Sequence, residues 1–295
     1  MTTLAIKIDV DTEIGTRIGT PNLMVMLKDL QVPATFYLSL GPDNTGRAIK
    51  RIFRKGFFKK CARTSVISTY GLRTLLNGVL LPGPHIGKKH EMLLRTIKEQ
   101  GFDVGIHTYD HQKWQDGVAL MPQEKIAAEF QKALDEFQRI FGQPATTAAA
   151  PGWQANEKTL EIYDQANFIY ASDCRGTSPF FPKVGDKIYK TLQIPTTLPT
   201  LDELLGRPEF PQEKIIGHYL SLLKSDVPNV LTIHSELEGM KYATWFRAFL
   251  LELEKQNVQF TTLSEIAKSC DFPVCELIQK EVEGRSGKLA WQDNQ

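Results

Sequence analysis

The sequence predicts an α/β fold of parallel βαβ units, closed as a barrel or open as a doubly wound sheet. Strand-like apolar runs alternate with segments of helical periodicity along the chain. Several of those runs end in Asp or His, at the position where the carboxyl edge of a parallel sheet gathers ligands. The 295 residues carry no internal repeat and no low-complexity linker, which suits one large domain.

Taken in order, the predicted strands or strand ends are 4–10 (LAIKIDV), 33–40, 102–107, 145–151, 168–173, 192–199, 229–234 (NVLTIH) and 258–263. Helical periodicity is clearest over 124–142, where Ile126, Phe130, Leu134, Phe137 and Ile140 form one stripe and Gly142 is a stop. Weaker helical patterns cover 91–101, 157–166, 215–223 and 243–256. Residues 44–90 break the alternation. This stretch has no acidic residue but holds Arg47, Lys50, Arg51, Arg54, Lys55, Lys59, Lys60, Arg63, Arg73, Lys88 and Lys89, with Ile49, Ile52, Phe53, Phe57 and Phe58 interleaved. Such a segment suits contact with an anionic lipid surface or a phosphate. The competing reading is a solvated basic face whose Phe residues dock on the domain.

Composition narrows the function classes. The 35 basic and 34 acidic residues nearly cancel, which argues against a nucleic-acid binder. No apolar run approaches the ~18–20 residues that span a bilayer. MTTLAIKIDVD lacks the charged start and long apolar core of a secretory signal. Four cysteines without a CxxC pair fit a reduced, cytosolic compartment.

The residues suited to chemistry sit at the strand ends. Asp9 and Asp11 are two apart, so on a strand both face one site, and two close carboxylates repel unless a cation or proton separates them. His107 and His111, in GIHTYDHQKW, are spaced i, i+4 and share a face if they open a helix. One Asp and two His leave positions open on a divalent metal for water and substrate. Asp110, between the histidines, faces away and suits a helix cap. His234 ends another strand and is a candidate for proton transfer. Asp173 can orient a histidine such as His234, and Arg175 can hold an acidic partner or a substrate phosphate. Trp153 is a candidate wall of a sugar pocket, against the plainer reading of a core aromatic. His85, His90 and His218 read as structural.

With these residues in view the chain resembles the polysaccharide deacetylase family, also called the NodB-homology or carbohydrate esterase family. IDVDT (8–12) is similar to its first motif, His107-Thr108-Tyr109-Asp110-His111 matches its H-[ST]-x-x-H motif, and Leu231-Thr232-Ile233-His234 is similar to its last. Within that family the resemblance runs to the 4-deoxy-4-formamido-L-arabinose-phosphoundecaprenol deformylase branch. It is carried by IDVDT…GTR (8–17), LGPDNTGR (40–47), the basic insert, SDCRG (172–176), QIPTTLPTLDE (193–203), TIHSELEG (232–239) and EGRSGKLAWQ (283–292).

The resemblance implies a distorted (β/α) barrel over residues 1–268, carrying the insert at about 44–90, and a C-terminal tail, 269–295, packed on the domain or the membrane surface. It implies hydrolysis of a formamide on a lipid-linked sugar in lipid A modification, on the cytoplasmic face of the bacterial inner membrane. Asp11, His107 and His111 would bind one divalent ion, with zinc, cobalt, manganese and nickel all open. Asp9 would be the base and His234 the acid, with Asp173 orienting His234. Where the family has an arginine that holds the base, this chain has Ala149, and Arg175 is the expected replacement. Arg17, Arg47, Lys50, Arg51 and Trp153 are expected at the substrate. No nucleic acid or protein partner is expected. The alternatives are a hydrolase of a soluble sugar amide and a non-catalytic lipid- or carbohydrate-binding module.

Overall fold

Strand β1 (Thr3–Val10) runs through the centre of the molecule because both of its faces are buried. In the computed structural model, which describes residues 1–48, 74–269, 271–285 and 287–293, Leu4, Ile6, Ile8 and Val10 join the large core shared with the helices. Ala5 belongs instead to a smaller cluster with Tyr37, Ala149, Tyr170, Ile194 and Val230, inside the curl of the sheet. Lys7 and Asp9 share the parity of Ala5, so they too point inward.

One edge of β1 is taken by β9 (Asn229–His234), in register from Leu4↔Asn229 to Asp9↔His234. The other edge is divided. β10 (Gln259–Thr261) pairs with Thr3–Ala5, and β2 (Ala34–Ser39) with Ile6–Val10. Beyond β2 follow β3 (Asp103–Thr108), β4 (Thr147–Ala148), β5 (Tyr170–Ala171) and β8 (Leu192–Gln193), all parallel. The sheet then curls until the chain after β8 meets β9: Thr197 and Leu198 N–H both donate to the Val230 carbonyl, and Thr196 and Thr232 hydroxyls lie 2.7 Å apart. Closure by these bonds instead of a regular ladder makes the predicted distorted barrel.

Helices α1 (Thr20–Asp29), α2 (Glu91–Glu99), α3 (His111–Gly117), α4 (Gln123–Phe141), α5 (Glu157–Gln165), α6 (Ile215–Leu222) and α7 (Ala243–Lys255) pack around the sheet. In α4 the stripe Ile126, Phe130, Ala133, Phe137 and Ile140 is buried, each large side chain contributing about 1.5–3 kcal/mol. Ala133 takes the place expected for Leu134, which is only half-buried. Gly142 ends α4 at φ 68°, where a Cβ would be strained.

Three differences from the sequence reading have physical causes. The strands expected over 145–151 and 192–199 are two-residue ladders, and neither can run on through Pro151 or Pro195, which lack the N–H that a ladder needs. α1 was not expected, since its Leu-Met-Val-Met-Leu run hides the helical period. A second sheet was not expected either: β6 (Phe181–Val184), β7 (Lys187–Ile188), β11 (Val274–Glu281) and β12 (Lys288–Asp293) run in the order β12-β11-β6-β7, with β11 parallel to β6. Most of the basic insert, from 49 to 73, lies outside the described residues.

Candidate active site

The carboxyl ends of β1, β3 and β9 bring together side chains more than 200 residues apart. Asp11 follows β1, His107 is near the end of β3, and His111 opens α3, whose N-cap Asp110 accepts the Lys113 N–H at 3.0 Å. One ligand atom from each of Asp11, His107 and His111 lies within 4.8 Å of the others. Both imidazole Nε2 atoms converge on one carboxylate oxygen, Asp11 Oδ1, at 3.2 Å from His107 and 3.4 Å from His111. That oxygen is buried and has no hydrogen-bond partner.

The Ala149 carbonyl lies 2.7 Å from His107 Nδ1 and accepts its proton, which leaves the Nε2 lone pair facing Asp11. Electron-rich atoms aimed at one another call for a cation between them. A carboxylate with two imidazoles is a donor set that divalent transition metals accept. The electrostatics agree. Burial alone would raise the Asp11 carboxyl, but His111 and His107 together hold it well below the usual range. Burial likewise opposes a charge on His107, and Asp9 and Asp11 overcome it, raising its pKa.

Asp9 and His234 are paired residues on adjacent strands, which sets their side chains next to each other beside this trio. Asp9 is 4% exposed; its Oδ2 lies 3.5 Å from Lys7 Nζ, and its Oδ1 is buried without a hydrogen-bond partner. His234 Nδ1 is also buried and unpartnered. Asp173 therefore does not orient His234 in this structure. Its carboxylate accepts the Ala150 N–H at 2.6 Å and the Gln193 amide at 3.3 Å. β5 adjoins β4 and β8, so a carboxylate leaving its end meets groups of those strands before β9. Burial raises Asp173 to about 6, against the opposing pull of Gln193, Lys7 and Ala150.

Arg175 is not beside Asp9 either. Its guanidinium bonds Glu203 at 2.8 Å and the carbonyls of Thr196 and Leu198, and it lies 4.9 Å over the Trp153 ring. The cation that does stand next to Asp9 is Lys7. Trp153 is 3% exposed, donates through Nε1 to Thr196 Oγ1 at 3.1 Å, and also carries the Arg285 guanidinium at 4.5 Å. It is a packed element behind the site, with Arg175, Arg285 and Lys7 on its ring.

Arg17 is half-exposed near the mouth, 3.3 Å from Glu13, which also binds Lys89 and His90. Arg47 reaches the Gly78 carbonyl at 3.1 Å and Asp110 at 3.7 Å, so the base of the insert is tied to the turn that carries His111. Lys50 and Arg51 lie outside the described residues.

Two buried acids went unassigned in the sequence reading. Glu236 Oε1 accepts the N–H groups of Asp11 and Thr12 and the Thr12 hydroxyl, fixing the turn that presents Asp11. Gly15 allows that approach, since a Cβ there would sit 2.0 Å from Glu236 Oε1. Glu238 accepts the His234 N–H at 2.9 Å. Both stand in TIHSELEG, immediately after the predicted strand end, and that clustering was the available signal.

The family described as "Polysaccharide deacetylase" matches residues 9–171. A protein of Shewanella sediminis named "Probable 4-deoxy-4-formamido-L-arabinose-phosphoundecaprenol deformylase ArnD" is 36% identical over 294 residues, covering 99% of this chain and 95% of that protein. A protein of Wigglesworthia glossinidia brevipalpis with the same name is 35% identical over 94% of this chain and 98% of its own length. The crystal structure of a "probable Polysaccharide deacetylase" from Pseudomonas aeruginosa superposes with a TM-score of 0.59 at 14% identity, over 90% of this chain and 89% of that one. The fold is shared with that structure, and the sequence with the other two along nearly its full length; the chain belongs to the polysaccharide deacetylase family.

Proposed function

We propose that the protein is a metal-dependent deformylase that hydrolyses the formamide of undecaprenyl phosphate 4-deoxy-4-formamido-L-arabinose, releasing formate and the free amine. The observation that carries the reading is the convergence of Asp11, His107 and His111 within 4.8 Å, beside the register pair Asp9 and His234. The names of the two curated relatives support the choice of substrate.

In this reading Asp11, His107 and His111 hold a divalent ion. Such an ion, when bound, polarises the formyl carbonyl and lowers the pKa of water. Asp9 takes the proton of the attacking water as the C–O bond forms, through a carboxylate whose Oδ1 is buried without a partner. His234 delivers a proton to the leaving amine nitrogen as the C–N bond breaks. Each such transfer is worth roughly 10²–10⁴ in rate. The low exposure of Asp9 keeps bulk water from competing for the same oxygen.

The lipid carrier would bring the substrate at the cytoplasmic face of the inner membrane, with the basic insert lying on anionic lipid and Arg17, Arg47, Lys50 and Arg51 near the phosphate. Residues 1–268 form the catalytic domain in this reading. The 274–293 hairpin, bonded to β6, supports a tail packed on that domain.

The test is mass spectrometry of the formamido-arabinose polyprenyl phosphate incubated with the protein, with and without chelator. Loss of the formyl group that stops on chelation and returns with added metal is the expected result. Deformylation unaffected by chelator would remove the metal from the reading. Equal turnover of a soluble formamido-sugar nucleotide would remove the lipid.

A further inference from the structure

We infer that Lys7 is the positioning residue of Asp9: from inside the barrel its ammonium group holds one carboxylate oxygen and leaves the other turned to the reacting water. The inference rests on the reading of Asp9 as the base.

Lys7 is fully buried, between the apolar Leu4–Ile6 and Ile8 of its strand. A buried ammonium is costly unless its charge is compensated, so the groups around it indicate why it is there. Its Nζ donates to the Ser172 carbonyl at 3.0 Å and lies 3.5 Å from Asp9 Oδ2. The rings of Tyr37 and Trp153 also face it, with centroids 5.6 and 5.8 Å away, and its charge reaches the buried Asp173 and His107.

The site is built for a long side chain. The neighbours of Lys7 across the ladder are Thr35 on β2 and Thr232 on β9, both short. The Ser172 carbonyl is itself fixed, because the Ser172 N–H donates to the Ala148 carbonyl and its hydroxyl to that of Ile194, at 2.7 Å for the latter. The ammonium is thus pinned to the barrel wall at one side and to Asp9 at the other.

The two oxygens of Asp9 consequently have different surroundings. Oδ2 faces the ammonium, whereas Oδ1 is buried with no partner. Among the described residues the ion pair that Asp9 makes is with Lys7, at 3.5 Å; His107 and Arg285 act on its charge from farther away, and Arg175 is held by Glu203 and by the Thr196 and Leu198 carbonyls. A displacement of about 1 Å in a reacting group can cost on the order of 10²-fold in rate.

The experiment is a double-mutant cycle on the full chain with Lys7→Met and Asp9→Asn, alone and together, and Lys7→Arg as a separate variant. The lipid-linked formamide is the substrate, and metal content and Tm are recorded for every protein. Lys7→Met is expected to lower kcat on the order of 10²-fold while KM changes less than about threefold and bound metal is unchanged. In the Asp9→Asn background the same change should cost less than about twofold.

The Tm should behave in parallel. Lys7→Met strands a buried carboxylate and loses roughly 5–10 °C, most of which Asp9→Asn restores. If Lys7→Met does not fold, Lys7→Arg keeps the charge and changes its geometry; a drop in kcat of about tenfold or more with Tm nearly unchanged is expected, and an unchanged kcat would overturn the inference. Independent, additive losses in both kcat and Tm would overturn it as well. If the wild-type protein leaves the formamide untouched, the deformylase reading fails, and the Tm cycle still decides whether Lys7 and Asp9 hold one another.

Discussion

Glu238 shows how single residues behind the site set its response to pH. It is fully buried, and its Oε2 accepts the backbone N–H of His234. Burial pushes its carboxyl up to about 8, with Asp202 and Glu236 adding to the effect and the N–H groups of His234 and Glu238 opposing it. A carboxyl whose folded value exceeds the unfolded 4.5 takes up a proton on folding. Its stabilising contribution is complete below about pH 4.5 and is lost as the pH rises through about 8. Glu238→Gln keeps an acceptor for the His234 N–H and removes the titration. The Tm difference between Glu238→Gln and the wild type should therefore grow in favour of the variant by roughly 5 °C between about pH 5 and pH 8.5. Parallel Tm–pH curves from calorimetry would show that burial does not hold this proton. Glu236 shifts the same way, to about 8 by burial and the nearby Asp11, but it is present in both proteins, so only its interaction with Glu238 enters the difference.

At the level of elements, the C-terminal hairpin is part of the wall around the site. β12 bonds Arg175 through both backbone groups: Arg175 N–H to the Ala290 carbonyl at 3.0 Å and Gln292 N–H to the Arg175 carbonyl at 2.8 Å. The turn between β11 and β12 delivers Arg285 to Glu203 at 2.6 Å and Asp202 at 3.2 Å, on the same Trp153 ring that carries Arg175. Removing one partner from such a buried cluster leaves uncompensated charge, at a cost of about 3–5 kcal/mol. Arg285→Met should accordingly lower Tm by roughly 5–10 °C and open the hairpin to limited proteolysis after β11. A Tm within a degree of wild type would mean that the tail rests on the barrel without supporting it.

This hairpin was not legible in the sequence. VCELIQKE is too polar to read as a strand, and its partner β6 lies about 90 residues earlier. The opposite holds for β1, β3 and β9, whose apolar runs end in the Asp and His of the site; there strand and motif are local and reinforce each other. Arg175 and Lys7 show the limit of local reading. Arg175 follows a strand end and looks available, but its partner Glu203 is fixed only when the barrel closes. Lys7 looks like a solvent-facing lysine until closure makes the parity it shares with Asp9 an inward one.

Over the whole molecule, the near-zero net charge conceals a segregation. Eleven of the 35 basic residues fall in 44–90, where no acidic residue occurs, so the remaining 24 face all 34 acidic ones. The flank of the insert that is described adds apolar surface: Val79, Leu80 and Leu81 are 50%, 76% and 42% exposed. These residues stand close to the mouth of the site, since Asn77 donates to Asp43 at 3.2 Å and Asp43 accepts the Glu13 N–H, two residues from Asp11. Apolar surface on this flank, in a chain whose sequence carries up to eight positive charges over 47–63, suits an anionic bilayer, at about 1 kcal/mol per charge near the surface. A water-soluble substrate would have no use for such a surface at the entrance. The protein should float with vesicles containing anionic lipid, float less at about 0.5 M salt through screening, and stay at the bottom with neutral vesicles. Changing Arg54, Lys55, Lys59 and Lys60 together to Glu should abolish flotation while leaving turnover of detergent-dispersed substrate within about threefold. Flotation that survives this charge reversal would place the membrane contact elsewhere on the molecule; a loss of turnover in detergent would move these residues from the lipid surface to the substrate itself.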